Sequence, residues 1–325
     1  MIDIRQTKNY ADYLRREAWV VERVDETNYF IRKFPLIGSV LKLQRPEKIN
    51  FGIIDKLARK YRVFQIIIEP DLGSGPVTVF DHKLLLHNGF KLSKSPYLPS
   101  KTLQIDLTQP KEKIYTNFTK ECRYTIRKAA VAKTMAGKGV GGFYNSSCST
   151  PAEIIKWREA WKNSVKFNRY VPSAKQLLNI KKSFPQNHSL FLASHNISGR
   201  ITGGALFTVS SHDVSNHITY YWYGFTNKEG RASLSQYSLL YQGILWAKKM
   251  GCKVFDFEGV YDSRFPNKSW LGFTHFKRSF GGREVLYPGA YTKNVLSFGL
   301  WNNKRQRLAT QKKRKDWPEK HSGGS

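Results

Sequence analysis

Apolar and polar positions recur along this chain with two different periods, and the change from one to the other outlines its elements. From Asn50 onward, Ile53, Ile54, Leu57 and Tyr61 share one face of a helix, and VFQIIIEP (63–70) follows as a buried strand. After Thr108 and Pro110, Ile114, Phe118, Cys122, Ile126, Ala129 and Ala130 recur at helical spacing and predict one long helix. Thr150-Pro151-Ala152-Glu153 is a capping box with proline at the first helical position, and Ile154, Trp157, Trp161 and Val165 form the stripe behind it. LFLAS (190–194), ITGGALFTV (201–209) and HITYYWYGF (217–225) predict three consecutive strands, antiparallel through turns at Gly199 and 210–216. A helix over 232–250 carries Leu234, Tyr237, Tyr241, Ile244 and Leu245 until Gly251 stops it, and KVFDFEGV (253–260) is the next strand. This succession predicts a mixed α/β fold of two units, divided near 100–108 where KSPYLPSKT is rich in proline and serine.

A length of 325 residues suits two domains better than one. With 40% hydrophobic and 14% aromatic residues the chain is globular, and apolar runs such as Ile66-Ile67-Ile68 are far too short to span a bilayer. The first residues, MIDIRQTKNYADYLRREAW, hold no apolar signal core, so export is not expected. Cys122, Cys148 and Cys252 form neither a disulfide framework nor a zinc motif, and the eight histidines show no ligand spacing. No metal is expected, and a reducing, cytoplasmic setting is.

Charge changes the picture most. The formal net charge is +30, of which residues 302–321, NNKRQRLATQKKRKDWPEKH, supply +6 through eight Lys/Arg against two acids. Such a field attracts polyanions such as RNA, nucleotide phosphates or an anionic membrane face, and it also fits a merely lysine-rich surface. Lys120, Arg123 and Arg127, at i, i+3 and i+7, fall together on the predicted long helix. They make either a solvated face or a stripe that tracks an RNA backbone.

Three stretches offer chemistry, each beside a structural alternative. Asn227-Lys228-Glu229-Gly230-Arg231-Ala232 lies between a strand and a helix and approximates the pyrophosphate-binding turn of GNAT acyltransferases, although Glu229 would repel phosphate. Otherwise it is a turn that starts a helix. Asp256 and Glu258 alternate with Phe255 and Phe257, so both carboxylates leave one face of a strand. Together they supply a general base or, alternatively, hold strand geometry. In FTHFKRSFGG (273–282), Lys277 sits beside Phe276 and ahead of Phe280, Gly281 and Gly282. An ammonium walled by aromatic rings can neutralise an oxyanion, or it can be a structural lysine before a turn. No Walker A motif and no G-x-S-x-G occur, so a covalent enzyme intermediate is not expected.

FDFEGVYDSRFPNKSWLGFTHFKRSFGGREVLYPGAY (255–291) resembles the carboxy-terminal signature of the Fem family of peptidoglycan bridge-forming aminoacyltransferases, which reads Y/F-D-F/L-G-G, a variable loop, then F-K-x-x-F-G-G. PSKTLQIDLTQPKEKIYTNFTKECRYTIRKA (99–129) is similar to the family's T-x-x-x-D-L … R-x-x-I-R-K-A segment, and YYWYGF and QYSLLYQGILWAKKMGCK fit between the two. The first 98 residues echo the family only at Trp19, LQRP (43–46) and IEP (68–70).

The resemblance implies two GNAT-like domains in tandem, with about 285–301 returning to complete a first domain of 1–105 and with 106–284 as the second. Residues 302–325 would be a disordered basic tail. It implies transfer of a small amino acid (Gly, Ala or Ser) from aminoacyl-tRNA to the stem-peptide amine of a UDP-linked or lipid-linked muropeptide. There would be no cofactor beyond that co-substrate. In this frame Lys277 and Phe276 are catalytic, Tyr221 or Tyr223 contacts substrate, Arg169 grips the precursor and Arg23 stands where members carry a phosphate-contacting lysine. Glu258 departs from the pattern by replacing the first glycine of the G-G pair, and Ser173 stands where a tyrosine is expected. The expected protein is a cytoplasmic monomer with peripheral contact to the inner face of an anionic membrane. The alternatives are a GNAT-type N-acyltransferase using acyl-CoA, and a non-catalytic protein that binds RNA or a membrane surface.

Overall fold

The computed structural model describes residues 2–71, 79–136, 143–165, 169–184, 188–210 and 217–295. The expected basic tail, and the turn expected at 210–216 beyond Ser210, lie outside these residues. Thirteen strands among the described residues form two sheets. The strands are β1 (Val20–Val24), β2 (Thr27–Phe34), β3 (Gly38–Gln44), β4 (Val63–Glu69), β5 (Lys91–Leu92), β6 (Lys101–Asp106), β7 (Tyr144–Ser147), β8 (Ser189–His195), β9 (Ile201–Val209), β10 (Ile218–Thr226), β11 (Val254–Gly259), β12 (Arg283–Leu286) and β13 (Tyr291–Asn294). The first sheet has the order β1-β2-β3-β4-β13-β5 and the second β12-β6-β11-β10-β9-β8-β7. The chain thus passes to the second sheet at Lys101 and returns to the first at Tyr291.

Helices cover the sheets according to their apolar stripes. α1 (Lys8–Arg16) precedes the first sheet, and α2 (Phe51–Lys60), capped by Asn50, brings Ile54, Leu57 and Ala58 onto Tyr29, Ile31, Leu41 and Ile66. α3 (Val79–His87) completes that layer through Leu85. The single helix predicted after Pro110 is two, α4 (Lys111–Thr116) and α5 (Lys120–Ala136). Between them Thr119 Oγ1 accepts the Cys122 N–H at 3.2 Å, and Arg123 donates to the carbonyls of Thr116 and Phe118. Side chains that cap a helix terminus from both directions make the break stable although the apolar spacing continues through it.

α6 (Pro151–Ser164) starts at the predicted capping box, and α7 (Ala174–Ser183) starts at a second one, Ser173 with Gln176, which gives Ser173 a structural role of its own. The helix read as 232–250 is α8 (Lys228–Ala232) followed by α9 (Ser235–Lys249), divided where Leu234 takes φ 55°. α10 (Leu271–Arg278) occupies the stretch in which only an aromatic cluster and a turn were legible.

The strands 189–209 and 218–226 pair antiparallel in sequence as predicted. One face of the second sheet packs under α4, α5 and α9 through Phe118, Phe207, Leu240, Phe255 and Phe257. The other face packs under α6 and α7 through Trp157, Leu177, Phe184 and Phe191. α1 lies between the sheets: Ala11 packs with Val21 and Phe30 of the first, Tyr13 with the core of the second, and Tyr10 stacks on Trp222. Trp157 is wholly buried and its Nε1 donates to Leu192 O at 2.8 Å. Trp157→Ala should therefore cost about 3–5 kcal/mol, measured as a lower urea midpoint at unchanged m-value.

Candidate active site

The second sheet opens at its centre. β10 and β11 run parallel and pair through Ile218–Val254, Thr219–Phe255 and Tyr220–Asp256, and then part. Both strands are irregular at that point: β10 shifts register between Tyr221 and Tyr223 against β9, and β11 between Asp256 and Gly259 against β6. The shift on β10 sends Tyr221 into the core under α9 and Tyr223 into the core under α6, opposite faces for residues two apart.

Beyond Asp256, the carbonyls of Phe257 and Gly259 have no partner on β10. Both accept hydrogen bonds from Lys277 Nζ, each at 2.7 Å. Lys277 reaches them from the last turn of α10 and is 8% exposed. Its aromatic walls are Phe273 and Tyr221, with ring centres 5.0 and 5.7 Å from Nζ. The expected walls, Phe276 and Phe280, instead pack against Tyr237 of α9. Phe273 is one helical turn before Lys277, whereas Phe276 points to another side of the same helix. Burial lowers the Lys277 pKa to about 8, opposed by the charges of Glu258 and Asp256. Gly281 and Gly282 follow at φ 70° and 94°, where a Cβ would meet the carbonyls of Asn117 and Gln104.

Between the two clamped carbonyls, Glu258 has φ 58°. This left-handed position explains why a glycine fits the corresponding place in the resembling signature. The glutamate is held there: its backbone N–H donates to Asp256 Oδ1 at 2.6 Å, its carbonyl accepts from Thr102 Oγ1 at 2.6 Å, and Oε1 accepts from Arg5 Nη2 at 2.7 Å. Asp256 also accepts from Gln104 Nε2, and its Oδ1 shares the single Thr102 hydroxyl proton with the Glu258 carbonyl. Its carboxyl is pushed up to about 6, chiefly by burial and then by Glu258. Of the two readings open at the sequence level, the hydrogen bonds display the structural one, in which Asp256 and Glu258 hold strand geometry at the bulge.

Arg5, buried, binds both oxygens of Asp3, and Tyr220 Oη receives the Ile4 N–H at 3.3 Å. The amino-terminal residues are therefore part of the site, which no motif in them announced. Gln236, on the first turn of α9, was also missed. Its Nε2 donates to Tyr221 Oη at 2.7 Å, and its Oε1 is buried without a partner among the described residues. Burial drives the hydroxyls of Tyr221 and Tyr223 well above the ordinary phenol range, so both stay neutral.

Four cavities adjoin this centre or its flanks, and Lys277 lines none of them. One of about 620 Å³ lies between the sheets and is lined by Asp3, Asp25, Glu26, Glu47, Asp71 and Glu284 together with Arg45, Arg283, Tyr220 and Tyr287. A space of about 10 Å³ continues it through Arg45, Tyr220 and Tyr287 to Asp256 and Glu258. Another, of about 400 Å³ and mostly apolar, lies between α5 and the start of α9, with Lys128 and Ser235 in its wall. The fourth, about 880 Å³, follows Gln104–Gln109 and Gly281–Arg283.

The remaining predicted positions are scattered. Arg23 is committed: it donates to Gln6 O and Asn28 Oδ1, both at 2.8 Å, and pairs with Glu26. Arg169 is exposed between α6 and α7 and lines no cavity described above. On α5, Lys120 and Arg127 are exposed but Arg123 is spent on the α4–α5 break. Tyr124, exposed, and Lys128 complete a basic face with Lys120 and Arg127 that the three-residue reading overlooked. In the acyltransferase-like turn, Asn227 Oδ1 caps the Gly230 N–H at 2.8 Å, and Glu229 bonds Asn196 and Arg200. The Gly230 amide is therefore already occupied.

No protein-family model matches the sequence, and no curated protein matches it significantly. Solved structures do. FemX superposes with a TM-score of 0.72 and 15% identity over 94% of both chains. The C-terminal domain of a putative lysylphosphatidylglycerol synthetase from Agrobacterium fabrum superposes at 0.58 and 11% identity over 94% of this chain and 93% of that one. A tandem GNAT protein from the clavulanic acid biosynthesis pathway gives 0.50 and 10% identity over 88% and 87%. The architecture is that of two GNAT-like units in tandem, and the likeness of fold to FemX extends over 94% of this chain.

Lys277→Met should lower the melting temperature, since two buried carbonyls lose their donor at about 1–3 kcal/mol each. The unfolded chain binds the Lys277 proton up to pH ~10.5 whereas the folded protein releases it near 8, so the native protein should gain stability relative to the variant as pH rises between these values. Parallel stability–pH curves for the two proteins would remove the buried ammonium from this account.

Proposed function

We propose that the protein transfers an aminoacyl group from the ester of an aminoacyl-tRNA to a primary amine on the stem peptide of a peptidoglycan precursor. The observation that carries this reading is the parting of β10 and β11, with a clamped lysine in the gap and a carboxylate-lined cleft leading to the other side of the same bulge. The fold shared with FemX supports the reaction class.

The residues suit the two substrates differently. The inter-sheet cleft gathers six carboxylates against Arg45 and Arg283, and although Asp3, Glu26 and Glu284 are paired with Arg5, Arg23 and Lys101, this lining favours a cationic amine over a phosphate-rich group. The basic face of α5, with exposed Tyr124 between Lys120 and Arg127, suits the terminal nucleotides of an RNA, since phosphates pair with the cations and a base stacks on the ring. Acyl-CoA is less well served, because the turn at 227–232 has its amide capped and carries Glu229.

An aminoacyl ester is already activated, so alignment of the amine and loss of one proton suffice. Asp256, with its raised pKa, is in reach of the small space at the end of the cleft and would receive that proton through a water there. Lys277 spends two N–H groups on the strand, and its third has no acceptor among the described residues. We assign that third donor to the oxyanion, which requires the acyl end of the substrate to reach Lys277 by a route other than the four cavities described, and Phe276 and Tyr237 pack α10 in place rather than touch substrate.

Purified protein mixed with a charged tRNA pool and a UDP-linked or lipid-linked muropeptide should add one small amino acid to the peptide, read as a mass increase. Phosphatidylglycerol vesicles serve as a competing acceptor and a pool of acyl-CoA as competing donors, and aminoacylation of the lipid, or acylation of the peptide by acyl-CoA, in place of aminoacyl transfer from tRNA to the peptide would refute the proposal. Lys277→Met should cut turnover by about 100-fold or more. Native turnover should fall as pH rises through about 8, where the ammonium is lost, and the Met variant should lack that limb.

A further inference from the structure

The hairpin between β2 and β3 is built unlike the turn of a protein surrounded only by water. Its tip reads Phe34-Pro35-Leu36-Ile37, with Leu36 fully exposed, Ile37 70% exposed and Phe34 41% exposed. Leu36 also has φ 65°, a turn position that Gly or Asn fills at lower cost. Neither burial nor backbone ease accounts for a leucine at this place.

Cations surround the tip. Lys33 is exposed at its start, and Arg59 and Lys60 lie in the last turn of α2. Arg62 stands at the hairpin's base, where its carbonyl accepts the Ser39 N–H at 3.1 Å. The ammonium groups of Lys33 and Lys60 lie 5.5 and 5.0 Å from the Tyr61 ring. Glu22, which pairs with Lys60, is the acid that meets this group. The chain also departs here: Phe64, whose ring lies 6.1 Å from that of Phe34, accepts the N–H of Val295, the last described residue. The 30 residues after it carry eight Lys/Arg and two acids.

We propose that this end of the first sheet docks on an anionic lipid bilayer, with Phe34, Leu36 and Ile37 in the acyl boundary and the surrounding cations at the headgroups. An apolar tip of this size adds a second attachment to the electrostatic one, and two weak attachments together give stable peripheral binding. Leu36 and Ile37, the most exposed side chains of the tip, offer nucleic acid neither a stacking surface nor a hydrogen bond, so RNA is the poorer occupant. The inference is independent of the proposed catalysis.

The test is co-sedimentation of the full chain with vesicles of phosphatidylcholine alone and of phosphatidylcholine with about one-third phosphatidylglycerol. Binding is expected to the anionic vesicles only and to weaken with salt. Leu36→Ser with Ile37→Ser should reduce the partition coefficient about tenfold or more at unchanged melting temperature. As a second readout, Leu36→Trp should gain blue-shifted emission over the native protein when anionic vesicles are added. The proposal is overturned if the native chain ignores anionic vesicles, if the double variant binds as well as the native chain, or if Trp at position 36 stays in water. It is overturned equally if the tip proves to be a self-association contact, seen as a native dimer that the double variant abolishes without any vesicle binding.

Discussion

An ammonium bound to two strand carbonyls is the interaction on which the centre of this molecule depends. Where β10 leaves β11, the carbonyls of Phe257 and Gly259 would be stranded inside the protein, and buried carbonyls without donors are costly. Lys277 supplies both donors from a helix that is otherwise remote in sequence from the strand. Loss of its proton leaves a neutral amine that still has two N–H groups, so the clamp survives titration while the charge does not. The gap in the sheet is thus held by a group whose charge changes near neutral to mildly basic pH, a combination that pure packing would not supply.

The second half of the clamp comes from the opposite direction. Glu258 sits in the left-handed region between the two carbonyls, a conformation that costs of order 1–3 kcal/mol for a residue other than glycine. Asp256, Thr102 and Arg5 hold it there. Arg5 belongs to the amino-terminal segment wedged between the sheets, where Ile4 enters the core of the second sheet and Gln6 and Asn28 tie the segment to the first. The shape of the bulge and the relation of the sheets are therefore set by one connected network. Asp3 of this network lines the inter-sheet cleft, and Asp256 and Glu258 line the small space beyond it.

Much of the architecture was legible in sequence because it follows from local rules. The stripes on α2, α6 and α9, the capping box at Thr150 and the alternation in 201–225 act over a few residues, and each became the element it predicted, with α9 shortened by the break at Leu234. The break at Asn117–Thr119 and the helix 271–278 were not legible. The first depends on Arg123 reaching back to two carbonyls, and the second on a short amphipathic turn whose burial only its neighbours define. At the candidate site the motif singled out Lys277, but the rings around it are Phe273 and Tyr221 rather than Phe276, because residue adjacency in a helix does not mean contact.

By itself, the sequence determined the alternation of helices and strands, the excess of positive charge, the two carboxylates on one strand and the lysine ahead of a glycine turn. These are properties of spacing and composition. Tertiary structure alone decided that Lys277 faces backbone rather than open solvent, that Tyr221 and Tyr223 part to opposite faces, that Arg23 is spent on its own neighbours and that Arg5 and Gln236 belong at the centre. Tyr221 and Tyr223 part because β10 shifts register between them; for the others the reason is that a polar side chain takes whichever partner the fold leaves unsatisfied, up to about 250 residues away along the chain.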